Sequence, residues 1–297
     1  MKQIVECVPN FSEGQRKEVI DQLVAAITSV PDVIVLDVEA DPDHNRSVIT
    51  FVGEPAAVEE AAFRSIAKAA ELIDMRQHKG KHPRMGAADV VPFVPLRGVT
   101  MQDCVEMARR LGKRVGEELG IPVYLYEEAA TRAERRNLAD IRRGEYEKIA
   151  EEIGKAPERE PDFGPARMGS AGATAIGARP PLVAFNVYLN TNNVEIAKAI
   201  AKAVRYSSGG LRYVKALGLL VEGRAQISMS VTDFHGTPLL RVLDMIRSEA
   251  ARWGVSVVES EIVGLVPEDA LLDAAIAALQ LHRFKKDQIL ENRIMGL

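Results

Sequence analysis

Leu182-Val-Ala-Phe-Asn-Val-Tyr-Leu189 runs into Asn190-Thr-Asn-Asn193, and then Val194, Ile196, Ala197, Ile200 and Val204 recur at helical spacing. A β-branched and aromatic run, closed by turn formers and followed by a period of 3.6, predicts a strand and then a helix. Outward from there, residues 214–221 and 225–231 predict two strands joined through Glu222-Gly-Arg224, a compact turn whose glycine tolerates positive φ. Leu239, Leu240, Leu243 and Ile246 predict a helix over 238–252, and residues 255–263 predict a closing strand. The order is β-α-β-β-α-β.

The same order stands in the first half. Residues 2–9 alternate as a strand, Asn10-Phe-Ser-Glu-Gly14 reads as a turn, and Val19, Leu23, Ala26 and Ile27 mark a helix. Val33-Ile-Val-Leu36, read as a buried strand, and Val48-Ile-Thr-Phe-Val52 predict an antiparallel hairpin across Asp41-Pro-Asp-His-Asn45. Pro55 opens a long apolar helix, and Val90-Val-Pro-Phe-Val94 supplies the last strand. An internal repeat of the split βαβ kind predicts an α+β chain of two tandem ferredoxin-like (βαββαβ) subdomains, over 1–178 and 179–297. Between the copies, 101–150 predict further helices with an extra strand at 122–126, and 151–181 read as loop.

The 297 residues, 47% hydrophobic and 27% charged, are those of an ordinary globular protein. A formal net charge of −4 argues against a nucleic-acid surface. Five arginines crowd 132–143, but Glu134 and Asp140 interrupt them, so the stretch reads as a solvated mixed-charge face. Cys7 and Cys104 sit in apolar patterns and are expected as buried reduced thiols, which suits the cytoplasm. No run approaches the roughly 20 apolar residues of a membrane span, and no signal peptide is expected.

His78-Lys-Gly-Lys-His-Pro-Arg-Met-Gly-Ala-Ala-Asp89 has little value as core. Gly80 and Pro83 break any regular element, leaving a kinked loop that presents His82 among cations. Histidine has the side chain whose ordinary proton affinity lies nearest neutral pH, and Lys79, Lys81 and Arg84 oppose a further charge, which keeps the imidazole neutral. His82 is thus a candidate general base. His78 and His82 stand four apart, but Gly80 and Pro83 spoil a helical metal pair and no further Cys or His completes a set, so no metal is expected. Asp37, Glu39 and Asp41 share one face of their strand, either as a solvated end or as a carboxylate wall for a cation. In Asp162-Phe-Gly-Pro-Ala-Arg-Met-Gly-Ser-Ala-Gly-Ala-Thr174 the glycines let backbone approach a flat ligand on which Phe163 can stack; an ordinary linker is the other reading. His44, His235 and His282 read as structural or surface residues.

Three of these stretches, Val5-Glu-Cys-Val-Pro-Asn-Phe-Ser-Glu-Gly14, His78 to Ala87, and Pro161-Asp-Phe-Gly-Pro165 with Gly172-Ala-Thr-Ala-Ile-Gly-Ala-Arg179, resemble the glutamate formimidoyltransferase family in the same order along the chain. The resemblance implies two related α/β subdomains with folate in a groove between them. It also implies transfer of a formimidoyl group from N-formimidoyl-L-glutamate to N5 of tetrahydrofolate, the co-substrate, in histidine breakdown. It makes His82 the acid/base, matches Glu39 to a family aspartate, and places folate on Phe163, Gly164, Pro165, Ala166, Arg167, Met168, Gly169, Ser170, Ala171 and Gly172. Asn10, Arg46, Lys79 and Arg84 are then the expected substrate-binding residues, the cations meeting carboxylates. Members in many animals carry a fused cyclodeaminase domain; this chain is expected to perform the transfer alone, as a homodimer. Two other readings stay open: formyl transfer from N-formylglutamate to the same nitrogen, and a small-molecule binding module without catalysis.

Overall fold

A computed structural model describes residues 3–80 and 82–295. The chain divides into two units, Met1–Pro180 and Pro181–Leu297.

The first unit opens with β1 (Ile4–Cys7) and β2 (Asn10–Phe11), followed by α1 (Lys17–Thr28). The expected turn at Asn10 is therefore a second short strand. Pro9 interrupts β1, and the chain re-enters the sheet with Asn10 opposite both Val48 and Val90. Helix α1 buries Val19, Ile20, Leu23 and Ile27, one stripe at helical spacing. The hairpin of β3 (Ile34–Asp41) and β4 (Arg46–Gly53) is antiparallel as expected. Strand β3 is an edge rather than a buried strand, and it exposes Ile34, Leu36 and Val38 by 61%, 47% and 41%. Helix α2 (Pro55–Leu72) begins at Pro55, where a missing N–H costs nothing. It leads through the His82 loop to β5 (Ala88–Arg97).

Strand β1 pairs with β4 and β5, and β3 adds outside β4, so the four run β5-β1-β4-β3, all antiparallel. Beyond β5 the sheet continues. After α3 (Met101–Arg114) come β6 (Val123–Glu127), the short helices α4 (Leu138–Ile141) and α5 (Glu145–Glu152), and β7 (Thr174–Ala178). Strand β7 lies parallel between β5 and β6, fully buried, inside the segment read as loop. Its Thr-Ala-Ile-Gly-Ala lacks the bulk by which strands are recognised, and it lacks it for cause: a side chain at Gly177 would collide with the Tyr126 ring.

In the second unit β8 (Val183–Leu189), α6 (Val194–Val204), β9 (Val214–Val221), β10 (Arg224–Val231), α7 (Leu239–Arg252) and β11 (Val257–Val263) form a sheet in the order β11-β8-β10-β9. With strands renumbered within each copy, this repeats the first unit's four. Glu222 and Gly223 both take positive φ, 49° and 75°, in the two-residue hairpin turn. Val183, Phe185, Val187 and Leu189 of β8 meet Ile200 and Val204 of α6 in a core of their own. Helices α8 (Glu268–Ala278) and α9 (Leu290–Met295) follow. Among the described residues no helix is long and apolar enough to cross a membrane.

Candidate active site

Three loops of the first unit converge on Asn45. Its Oδ1 accepts the Gly14 N–H at 3.0 Å, its Nδ2 donates to the Lys79 carbonyl at 2.9 Å, and its own carbonyl accepts from His78 Nε2 at 3.0 Å. Asn45 sits at φ 49°, a left-handed conformation asparagine tolerates, and so can end the β3–β4 turn. The packing demands glycine on both sides, because a Cβ at Gly14 would fall on the Asp41 carbonyl and one at Gly80 on that of His44. Ser12 closes the arrangement, its Oγ donating to the Gly86 carbonyl at 2.8 Å.

Where these loops meet, Phe11, Ser12, His44, Asn45, Arg46, His78, His82, Arg84 and Asp89 line a cavity enclosing about 10 Å³, the space of one water, and opening outward. His82 Nδ1 donates to the Pro83 carbonyl at 2.7 Å, so the ring's lone pair is on Nε2. Burial first, and then the charges of Arg46 and Arg142, push its pKa down to about 3 from 6.5. The imidazole is neutral, as the sequence suggested, and among the described residues the cations that oppose its charge, Arg46 and Arg142, come from distant segments rather than from Lys79 or Arg84. Lys81 lies outside the described residues.

Arg46 follows the turn directly and pairs across the hairpin with Asp41. Burial, and after it the charge of Arg142, lowers its pKa to about 10, against the opposing pull of Asp89, Glu39 and Asp41. Arg142 follows α4, and its guanidinium bonds the carboxylate of Asp89. The turn that carries it is held by buried Arg159, which donates to the carbonyls of Ile141 and Arg143 at 2.8 and 2.5 Å. Asp89 in turn accepts the Met85 N–H at 2.8 Å. Among the described residues, the Nε atoms of both Arg46 and Arg142 are buried without a hydrogen-bond partner. Such an orphan costs free energy unless something polar meets it, which an anionic ligand in this cavity would do.

The expected substrate residues are placed unequally. Arg46 lines the cavity; Glu39, on β3, stands close enough to support its charge. Arg84 also lines it, but Glu145 at 2.5 Å and Glu147 at 2.6 Å hold its guanidinium, and its Nε points at His78 Nδ1. Burial works against that charge and the two carboxylates outweigh it, so the pKa of Arg84 is raised. Both His78 nitrogens are thereby engaged. Asn10 is buried, its amide donating to the Val8 carbonyl at 2.9 Å, and Lys79 is exposed on the loop; neither lines the cavity.

The segment 163–172 is anchored at both ends. Asp162 accepts from Arg135 Nη1 at 2.6 Å, the Leu125 N–H at 2.8 Å and the Thr131 hydroxyl, a buried clamp just ahead of it. Phe163 is partly buried against the first unit's core, its ring edge so near Gly112 of α3 that an added Cβ there would stand 3.1 Å from it. At the far end the Ala87 N–H donates to Ala171 and the Ala173 N–H to Met85, at 2.8 and 2.9 Å, tying the segment to the strand that follows His82. Between the anchors Gly164, Ala166, Arg167 and Gly169 are exposed.

One correction concerns residues read as a solvated face. Arg135 is 2% exposed, and the Arg142 side chain 12%, so the arginine-rich stretch turns two of its cations inward. His44, read as structural or surface, lines the cavity with its ring 6.4 Å from that of His82. No spacing marked either residue; only their partners Asp89 and Asp41, close to the two histidine-bearing loops, carried a hint.

Residues 4–179 match the family model described as the formiminotransferase domain, N-terminal subdomain, and residues 184–294 the one described as the formiminotransferase domain. The chain is similar to a glutamate formimidoyltransferase of Thermoplasma acidophilum, 55% identical over 98% of this chain and 97% of that one. It is likewise similar to a glutamate formimidoyltransferase of Streptococcus pyogenes serotype M1, 49% identical over the whole of both. A formimidoyltransferase-cyclodeaminase of Rattus norvegicus is 49% identical over 93% of this chain and 52% of its own length.

Proposed function

The chain belongs to the formiminotransferase family, and from that premise we propose that it moves the formimidoyl group of N-formimidoyl-L-glutamate to N5 of tetrahydrofolate in histidine breakdown. The observation that carries this reading is the neutral His82, its lone pair on Nε2, beside two arginines whose Nε atoms lack partners among the described residues.

N5 must lose a proton as it bonds to the amidine carbon, and the glutamate nitrogen must gain one as its bond to that carbon breaks. His82 Nε2 is the base for the first event. Arg46 and Arg142 meet a substrate carboxylate, each bringing an N–H donor that the described residues leave unpaired. Glu39, on β3, receives the cationic amidine. Arg84 and Asn10, bonded within the protein, act on the shape of the site, and Lys79 adds positive charge outside the cavity.

Segment 163–172 is the folate-binding stretch in this reading, supported by its exposed glycines and its tether to residues 85–87. Both units are ferredoxin-like in this reading, supported by the shared strand order. The apolar edge formed by Ile34, Leu36 and Val38 supports a homodimer, and the two buried free thiols support a reducing compartment, the cytoplasm.

The test incubates the purified chain with tetrahydrofolate and either N-formimidoyl- or N-formyl-L-glutamate while folate absorbance is followed. Turnover with the formimidoyl donor is expected. Turnover with the formyl donor alone, or with neither, contradicts the proposal.

A further inference from the structure

His44 and Asp41 form a pair that the account so far leaves idle. Asp41 Oδ1 accepts the backbone N–H groups of Asp43 and His44, both at 2.9 Å, which is all the β3–β4 turn requires. The other oxygen is left to the imidazole, and His44 Nδ1 donates to it at 2.5 Å. Burial pushes the Asp41 carboxyl up, but the donors of His44 outweigh it and hold the group below its ordinary range. A carboxylate on Nδ1 fixes the orientation of the ring, and in the imidazolium form Nε2 carries the proton that an acid would give up. The His44 ring stands edge-on to that of His82, centroids 6.4 Å apart, and both line the one cavity.

We propose that His44 is a second catalytic residue, the general acid that protonates the departing glutamate nitrogen, with Asp41 as its positioning residue. The inference rests on the proposed transfer reaction. As the N5–carbon bond forms, the proton of N5 passes to His82 Nε2; as the carbon–nitrogen bond to glutamate breaks, its electron pair takes the proton of His44 Nε2. One proton returned from His82 to His44 through solvent resets the site, so the turnover balances with no further reactant. The two histidines divide the work because their settings differ: His82 is bonded to a neutral carbonyl beside two cations, and His44 to an anion.

The test compares wild type with His44→Gln on two donors, N-formimidoyl-L-glutamate and its 4,4-difluoro analogue, which keeps both carboxylates but leaves as a less basic amine. With the natural donor, His44→Gln is expected to lower kcat by roughly 10²-fold at a nearly unchanged KM. With the fluorinated donor the deficit shrinks at least fivefold, since a weakly basic leaving group needs less help from an acid. Asp41→Asn, which keeps the turn's acceptor oxygen, follows the same pattern with a smaller loss. An equal deficit on both donors, or none, overturns the role of His44 while leaving the reaction in place. Wild type inactive on both donors overturns the reaction itself, and this inference with it.

Discussion

Arg142, at the end of α4, bonds the carboxylate of Asp89, 53 residues earlier at the foot of β5, and so joins the inserted helices to the strand that follows the His82 loop. Asp89 is 3% exposed and balances both Arg46 and Arg142. Asp89→Asn strands two buried cations and is expected to cost about 3 kcal/mol, on the scale of broken buried pairs. Urea unfolding checks it, and an unchanged midpoint would remove Asp89 from that role.

Arg142→Gln takes away one of the two charges that oppose protonation of His82. The His82 pKa should rise from about 3 towards 6.5, as read by NMR titration of the ring. Loss of a charged hydrogen bond worth roughly 1.5–3 kcal/mol should weaken donor binding by about ten- to a hundredfold. A mutant with wild-type titration and wild-type affinity would show that Arg142 does not face the site.

Arg84 behaves differently, because Glu145 and Glu147 already hold it. Arg84→Ala is expected to lower stability by roughly 1.5–3 kcal/mol, the range for hydrogen bonds to charged groups, chiefly by freeing α5 from the His82 loop. Calorimetry and donor affinity together decide it; weakened binding at unchanged stability would restore Arg84 as a direct ligand.

Acid should act on the site through stability before it acts through chemistry. The folded chain resists a proton on His82 that the unfolded chain accepts from pH 6.5 downward. The stabilising contribution of neutral His82 is therefore complete above pH 6.5 and is lost as pH falls towards 3. Relative to His82→Gln, wild type should lose stability across that window, as followed by chemical denaturation at a series of pH values. Parallel curves would mean that His82 titrates normally.

The repeat was legible because each copy keeps its periods: Val19, Leu23 and Ile27 in α1 and Ile200 and Val204 in α6 lie on buried stripes at the predicted places. Strand β7 was not, since Ala175, Gly177 and Ala178 are small to admit neighbours, and small residues carry no pattern. The His82 loop announced itself by its glycine, proline and cations. Charge state is harder to read than charge. Arg84 looked free because Glu145 and Glu147 lie 61 and 63 residues away, and Arg142 looked solvated because Asp89 lies 53 residues back. Pairings at such separations belong to the fold, and only the folded chain reveals which cations remain unsatisfied.

The most direct measurement is single-turnover kinetics of His82→Gln with N-formimidoyl-L-glutamate and tetrahydrofolate, beside equilibrium binding of each substrate to the same protein. Transfer slowed by roughly 10²-fold or more, with both substrates bound at near wild-type affinity, is the result expected of a lost general base. Wild-type transfer in that mutant would contradict the assignment of the base to His82.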